Sequence, residues 1–295
     1  MLQKSKPVIY LFPATVVLFL LFGGGIWNGL LQSMGYFPAA NQYELTLEYY
    51  RKVLVSREFL DSFLVTIRIA GLSSIIAGVI GLAVSVLLFI LTKEKSGKHG
   101  LITQKLFQLP MLVPPLVAGY FILLLFSQSG WVSKWMETFG LIDRISDFPV
   151  LVNDSFGWGI IMTYAWKESA FVALMLHPVL MRIKDVWLDV ARVYGANSWK
   201  YFKCILFPLL FPSWMSALFI VFAFTFSAFE VPFLLGVTYP SMLPVYSYNL
   251  YVGGGLEVRP EALSVNIILV CMVVFIGALA FWVSRRWYRK GQGGW

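Results

Sequence analysis

Charge is scarce in this chain. Asp, Glu, Lys and Arg make up 13% of its 295 residues, about half the share of an average soluble protein. With 59% hydrophobic residues and a mean hydropathy of +0.75, too little polar surface remains to coat a water-facing body of this size. Histidine and cysteine are scarcer still. Two histidines, His99 and His177, and two cysteines, Cys204 and Cys271, argue against a metal centre and against a disulfide scaffold. A phosphate-binding loop is missing as well, because Gly97-Lys98 is the one Gly-Lys pair and Thr92 stands where that loop's first glycine would have to be. The chain therefore does not supply its own chemical energy from a nucleotide.

What the sequence has instead is a series of long apolar runs. Six approach the ~20 residues that cross a bilayer, near 8–31, 62–92, 104–127, 156–181, 209–235 and 264–284. They predict an all-α polytopic membrane protein, one transmembrane domain over 1–295, with both termini on one side. Under that topology the termini and the loops at 93–105 and 182–208 hold 15 Lys and Arg, against 6 in the other three loops. The asymmetry places both termini in the cytoplasm of a cytoplasmic (inner) membrane. Acidic residues lean the other way, with 10 in the outer loops and 3 in the inner ones. The net charge of +8 is thus explained by loop retention, and no nucleic-acid partner is expected. The cluster Arg285, Arg286, Trp287, Tyr288, Arg289 and Lys290 reads as an interfacial anchor. The first segment could pass for a signal peptide after Lys4 and Lys6, but its apolar character resumes beyond Gly25 through Ile26, Trp27, Leu30 and Leu31, longer than a signal core.

Two spans carry internal signals. In the second, Gly71, Ser74, Gly78, Gly81 and Ser85 recur at intervals of three and four, a small-residue stripe that admits a neighbouring helix closely. The third opens Leu109-Pro110-Met111-Leu112-Val113-Pro114-Pro115, where missing amides and ring clashes prevent a straight helix. Arg68, Lys167, Glu168 and Glu230 fall inside or at the edges of apolar spans, where an ionisable group needs a partner or water.

The fourth loop is too polar to span and too patterned for a linker. Asp185 and Asp189 suit the positive end of a helix dipole, Gly195 suits a left-handed helix end, and Pro208 marks entry into the fifth span. This pattern predicts a short helix, a turn and a second helix. Val190, Ala191 and Tyr194 are expected to share one face as a small, partly apolar knob.

The same stretch resembles the EAA loop of permease subunits in ATP-binding-cassette importers: Asp189, Ala191, Gly195, Ala196, Ile205 and Pro208 fill its pattern, with Asp for the usual Glu and Val190 for the first Ala. Leu109-Pro110 with Pro114, Trp166-Lys167-Glu168, and Phe229 to Gly236 resemble family segments at matching places. The resemblance covers most of 45–285. It implies a type I importer permease fold in a bacterial inner membrane, with two cytoplasmic ATPase subunits, a second permease that is a homologue or the same chain, an external solute-binding protein and surrounding lipid. ATP and magnesium would belong to the ATPases, with no cofactor in this chain. Asp189, Val190, Ala191, Tyr194, Gly195 and Ala196 would then form the ATPase-coupling helix. Phe229 to Gly236 with Leu243 to Tyr246 look most like the branch for polyamines, ferric iron, thiamine and aminophosphonates, rather than the sugar branch.

Two other functions compete with this one. A secondary transporter would couple solute to an ion gradient through intramembrane charges, but no internal repeat supports it, and it leaves the loop at 185–208 without a task. A membrane-embedded enzyme would need clustered acids, histidines or a nucleophile, whereas His177 stands alone, as a satisfied interfacial histidine does. For the pathway, Glu230 is the first candidate and Glu168 with Lys167 the second. The alternative for Glu230 is an ion pair or exposed backbone amides that fix the fifth span. The loops at 32–60 and 236–262, with Tyr43, Glu44, Tyr49, Tyr50 and Glu257, are expected to receive the binding protein.

Overall fold

In this computed structural model, residues 6–94, 109–183 and 186–292 are described. The loop expected at 93–105 lies almost wholly outside them, as do Asp185 and His99, and the side chains from 283 onward are likewise not described. The described elements are helical with a single isolated bridge, Phe37 to Gln42. A helix satisfies its own backbone within lipid, where no water can do so. The chain packs as two units, residues 1–61 with 243–271, and 62–242 with 272–295.

The first unit begins with α1, Lys6–Leu18, and α2, Gly24–Ser33, joined by a wider turn at Phe19–Gly23. Most residues from Leu11 to Trp27 are uncovered by the rest of the chain. The amphipathic α3, Glu48–Val55, returns toward the end of α2, where the Tyr50 hydroxyl and Ser33 Oγ share a 2.6 Å hydrogen bond.

The second unit is built on α4, Arg57–Glu94; α5, Pro115–Phe126; α6, Trp131–Thr138; α7, Trp158–Leu180; α8, Val186–Val193; α9, Ser198–Tyr201; α10, Phe207–Phe226; and α11, Glu230–Leu235. The remaining helices are α12, Leu243–Gly253, in the first unit, and α13, Gly255–Gln292, which contributes to both, as α4 does at its first turn. Among the described residues, five stretches are long and apolar enough to cross a membrane, within α1 to α2, α4, α5 to α6, α9 to α10 and α13. The fourth expected span is present as α7 but is less apolar, since it carries Lys167, Glu168 and His177. It tolerates them because thirteen of its 23 residues are buried in protein. Ile160, Ile161 and Tyr164 of α7 enter one hydrophobic cluster with Val65, Ile69, Ile122, Val231 and Leu235, while Val172, Leu176 and Leu180 enter another with Ala77, Leu210 and Val221.

The small-residue stripe of α4 is a packing face, divided between two neighbours. A side chain at Gly78 would collide with Leu218 of α10, whose Trp214 Nε1–H donates to the Gly78 carbonyl at 2.9 Å. At Gly81 a Cβ would lie 2.6 Å from Val172 Cβ and 2.7 Å from the Ser169 carbonyl oxygen of α7. Nothing lies within 4 Å of such an atom at Gly71. Gly81→Ala should therefore destabilise the purified protein by about 1–3 kcal/mol through overpacking, read as a lower melting temperature in detergent, while Gly71→Ala, with open space around its Cβ, should hold or slightly raise it.

Prolines break the third span as expected: Pro114 is extended at ψ 144° and α5 begins at Pro115. The fifth span differs from its expected extent of 209–235. α10 stops at Phe226, Ser227 to Phe229 interrupt it, and α11 is a separate short helix. Pro232 is consequently the third residue of a helix, where its missing amide is one of the unused ones. It does not free the Ala228 carbonyl within a continuous helix.

Candidate functional site

The fourth loop folds as the helix, turn and helix expected. α8 ends with Gly195 at φ +68°, and the Ala196 amide donates to the Ala191 carbonyl at 2.9 Å, the six-to-one bond of a Schellman motif. Asn197 then caps α9, its side-chain oxygen accepting from the Lys200 amide at 2.9 Å. A wider turn over Phe202–Leu206 carries the chain into α10 without a break.

The knob differs in composition from the expected one. Ala191 is 6% exposed and packs inward with Tyr201, Leu206 and Leu180, so it does not share a face with Val190 and Tyr194. Leu188 lies three residues earlier on the same inner face, and a methyl at 191 lets α8 sit close to the core. The outward face is Val186, Val190, Val193 and Tyr194, the last two about 85% exposed, with Asp189 also exposed. Ala196 is half-buried, and at Gly195 a side chain would meet open space. The glycine is thus required by backbone conformation and not by crowding.

The intramembrane charges separate into two kinds. Lys167 and Glu168 are buried in α7, and Lys167 Nζ donates to Glu168 Oε1 at 3.1 Å. The ammonium also lies 5.7 Å from the centroid of Phe224 on α10. A buried pair of this sort is costly to break and cheap to replace whole. Lys167→Met should cost about 3–5 kcal/mol by leaving a lone buried carboxylate, and Lys167→Met with Glu168→Leu should recover most of the melting temperature. Glu230, by contrast, is exposed as the first residue of α11, and among the described residues it makes no ion pair. That disagrees with a charge pair fixing the fifth span. Tyr164 is fully buried, and among the described residues its hydroxyl has no hydrogen-bond partner. The sides of α11 are distinct. Val231 and Leu235 are buried, and a Cβ at Gly119 of α5 would touch Val231 and Leu234, whereas Phe233 is 54% exposed and stacks on Phe229 at 5.0 Å.

His177 is half-buried, and among the described residues its Nδ1 has no partner, where a satisfied interfacial histidine was expected. Of the loop residues, Tyr43, Glu44 and Glu257 are exposed, but Tyr50 is engaged with Ser33, and Tyr49 packs against the Gly35 turn. Within the first unit the two loops are joined, with Lys52 Nζ donating to Glu261 Oε2 at 2.5 Å. Asn153 and Asp154 were not singled out from the sequence, although Asn-Asp-Ser ahead of an apolar run is a helix-start signal. Asp154 accepts from the amides of Phe156, Gly157 and Trp158 at 2.8–3.0 Å and so starts α7.

A family model described as "Binding-protein-dependent transport system inner membrane component" matches residues 89–290. The chain is 23% identical over 236 residues, 77% of its length and 70% of the other's, to the probable starch degradation products transport system permease protein AmyD of Thermoanaerobacterium thermosulfurigenes. It is 24% identical over 98% of its own length to the glucose import system permease protein GlcT of Saccharolobus solfataricus, covering all of that protein. The ferric transport system permease protein FbpB of Actinobacillus pleuropneumoniae is 24% identical over 77% of this chain, which spans 32% of it. In fold the chain is similar to a chain of a bacterial ABC transporter involved in the import of the acidic polysaccharide alginate, with a TM-score of 0.78, 20% identity and 96% of each chain covered. Similarity to the MetNI methionine ABC transporter is lower, with a TM-score of 0.56 and 77% of this chain covered.

Proposed function

Because the chain belongs to the family of binding-protein-dependent transport system inner membrane components, and is thus a permease subunit of an ATP-binding-cassette importer, we propose that it forms half of a translocation pathway for a small polar or charged solute. An external binding protein delivers the solute, a second permease completes the pathway, and two separate cytoplasmic ATPases bind ATP and magnesium and drive it. Both termini and α8 then lie in the cytoplasm. The observation that carries this is the exposed apolar face of α8, Val186, Val190, Val193 and Tyr194, on a helix capped by the Gly195 turn and tied through α9 into α10. A short helix fixed in this way converts movement of a docked ATPase into tilting of α10. Glu230 begins α11, directly after the three-residue interruption of the fifth span, and is uncovered, so it is the carboxylate assigned to the pathway. Lys167 and Glu168 neutralise each other and join α7 to α10.

The relatives support a solute class and no more: two are named for sugars or starch products and one for ferric transport. Small polar or charged solutes are what these have in common. The joined loops at 32–60 and 236–262, with Glu48 and Glu257 exposed, suit a polar docking surface for the binding protein.

Reconstitution tests this directly. In proteoliposomes holding this chain, its permease partner and the ATPases, uptake should need ATP and the loaded binding protein, and should survive collapse of ion gradients. Uptake driven by an ion gradient without ATP would establish a secondary transporter instead. Crosslinkers at Glu48 and Glu257 should capture the loaded binding protein, and capture from 93–103 would invert the topology.

A further inference from the structure

Arg68 lies on α4, in its fourth turn, among apolar neighbours. A guanidinium there is costly unless it finds a partner. It finds one on the segment that leads into α7. Its Nη2 donates to the Ser155 carbonyl at 2.8 Å, and its Cζ sits 4.7 Å from the centroid of the Phe156 ring, which in turn stacks on Trp158 at 4.6 Å. The segment itself is stiff. Asp154 holds three successive amides, and Asn153 adopts φ +57°.

The other end of that segment grips α11. The Asn153 amide donates to the Leu235 carbonyl at 3.0 Å. Its side-chain amide nitrogen, turned toward the helix, reaches the Leu235 and Gly236 carbonyls at 3.1 and 3.3 Å. These are carbonyls at the end of a helix that otherwise lack an intrahelical partner. Gly236 closes the helix by donating to the Pro232 carbonyl at 2.9 Å, and a side chain there would clash with that oxygen. A three-residue interruption separates α11 from α10, so the grip on its far end matters for where it points.

We propose that Arg68 is a positioning residue for α11, acting through the strap of residues 153–157 to set the orientation in which Glu230 and Phe233 are presented. This rests on the pathway role assigned to Glu230 for its consequence in transport, but not for the coupling itself. Contacts of a guanidinium with both a carbonyl and a ring face are not reproduced by a neutral amide. Lysine keeps the charge but loses the planar fork that reaches the carbonyl and the ring face together, so Arg68→Lys should lie between the parent and Arg68→Gln.

The test uses the assembled transporter with Cys204 and Cys271, both exposed, replaced by serine and Phe233→Cys as reporter. Arg68→Gln should change the rate at which a membrane-impermeant methanethiosulfonate labels the reporter thiol several-fold. It should also lower maximal uptake at saturating loaded binding protein without changing the concentration needed for half-maximal uptake. Arg68→Lys should shift both in the same direction by less. If Arg68→Gln fails to assemble, Asn153→Ala, which cuts only the side-chain bonds to α11, and Phe156→Leu should produce the same labelling change. An unchanged labelling rate in an assembled Arg68→Gln transporter, or in both substitute variants, overturns the proposal. Altered labelling together with normal uptake by Glu230→Gln would leave the coupling standing and remove Glu230 from the pathway.

Discussion

Gly195→Val should insert into the membrane, assemble and import nothing. The left-handed conformation at this position, φ +68°, costs an L-residue roughly 1–2 kcal/mol, and a β-branched one more. The bond from Ala196 to Ala191 that the turn protects contributes only about 1 kcal/mol. The turn therefore gives way before the core does. Since a Cβ at 195 meets nothing within 4 Å, the packing of α7 and α10 is undisturbed and the melting temperature changes little. What is lost is the orientation of α8, and with it the presentation of Val190, Val193 and Tyr194. Gly195→Asn, whose side chain tolerates the left-handed region, should retain partial uptake, and Gly195→Asp should fall nearer to the valine variant because it adds a charge beside the apolar knob. Normal uptake by an assembled Gly195→Val transporter would sink the coupling assignment.

Glu230→Gln should reduce uptake of a cationic solute while leaving complex formation, melting temperature and basal ATP hydrolysis near the parent values. The substitution keeps shape and hydrogen bonding and removes only charge. A structural ion pair would predict the opposite set, lower stability and poor assembly, but Glu230 is exposed and makes no pair among the described residues. Uptake and thermal unfolding measured on the same preparation separate the two, and parent values for every quantity would exclude both.

Much of the architecture was legible because lipid imposes a simple rule: apolar length marks a span. The proline break before α5 and the turn at Gly195 were also legible, since both follow from backbone chemistry that any neighbouring structure must respect. The coupling role proposed for Asp189, Ala191 and Gly195 comes only from the resemblance to a family loop, and the inward face of Ala191 was not legible at all. Amphipathic spacing groups Val190, Ala191 and Tyr194 within one broad arc. Only the contacts with Tyr201 and Leu206 decide which edge of that arc is covered. The end of α10 was misplaced because Phe229 to Gly236 is as apolar as a span, and hydropathy does not register a three-residue interruption. Arg68 was visible as a charge needing a partner. Its partner is a carbonyl 87 residues away, and a backbone group carries no sequence signal.

The central claim is that α8 is the surface on which a separate ATPase acts. Tyr194, 86% exposed at the end of that helix, can be replaced by cysteine in a chain whose Cys204 and Cys271 are serine, and the variant exposed to a short bifunctional thiol reagent in the assembled importer. Crosslinking to the ATPase subunit, at a yield that changes when ATP is bound, is the result expected. Crosslinking to the external binding protein, or no crosslink to the ATPase in a transporter that still imports with ATP, would contradict it.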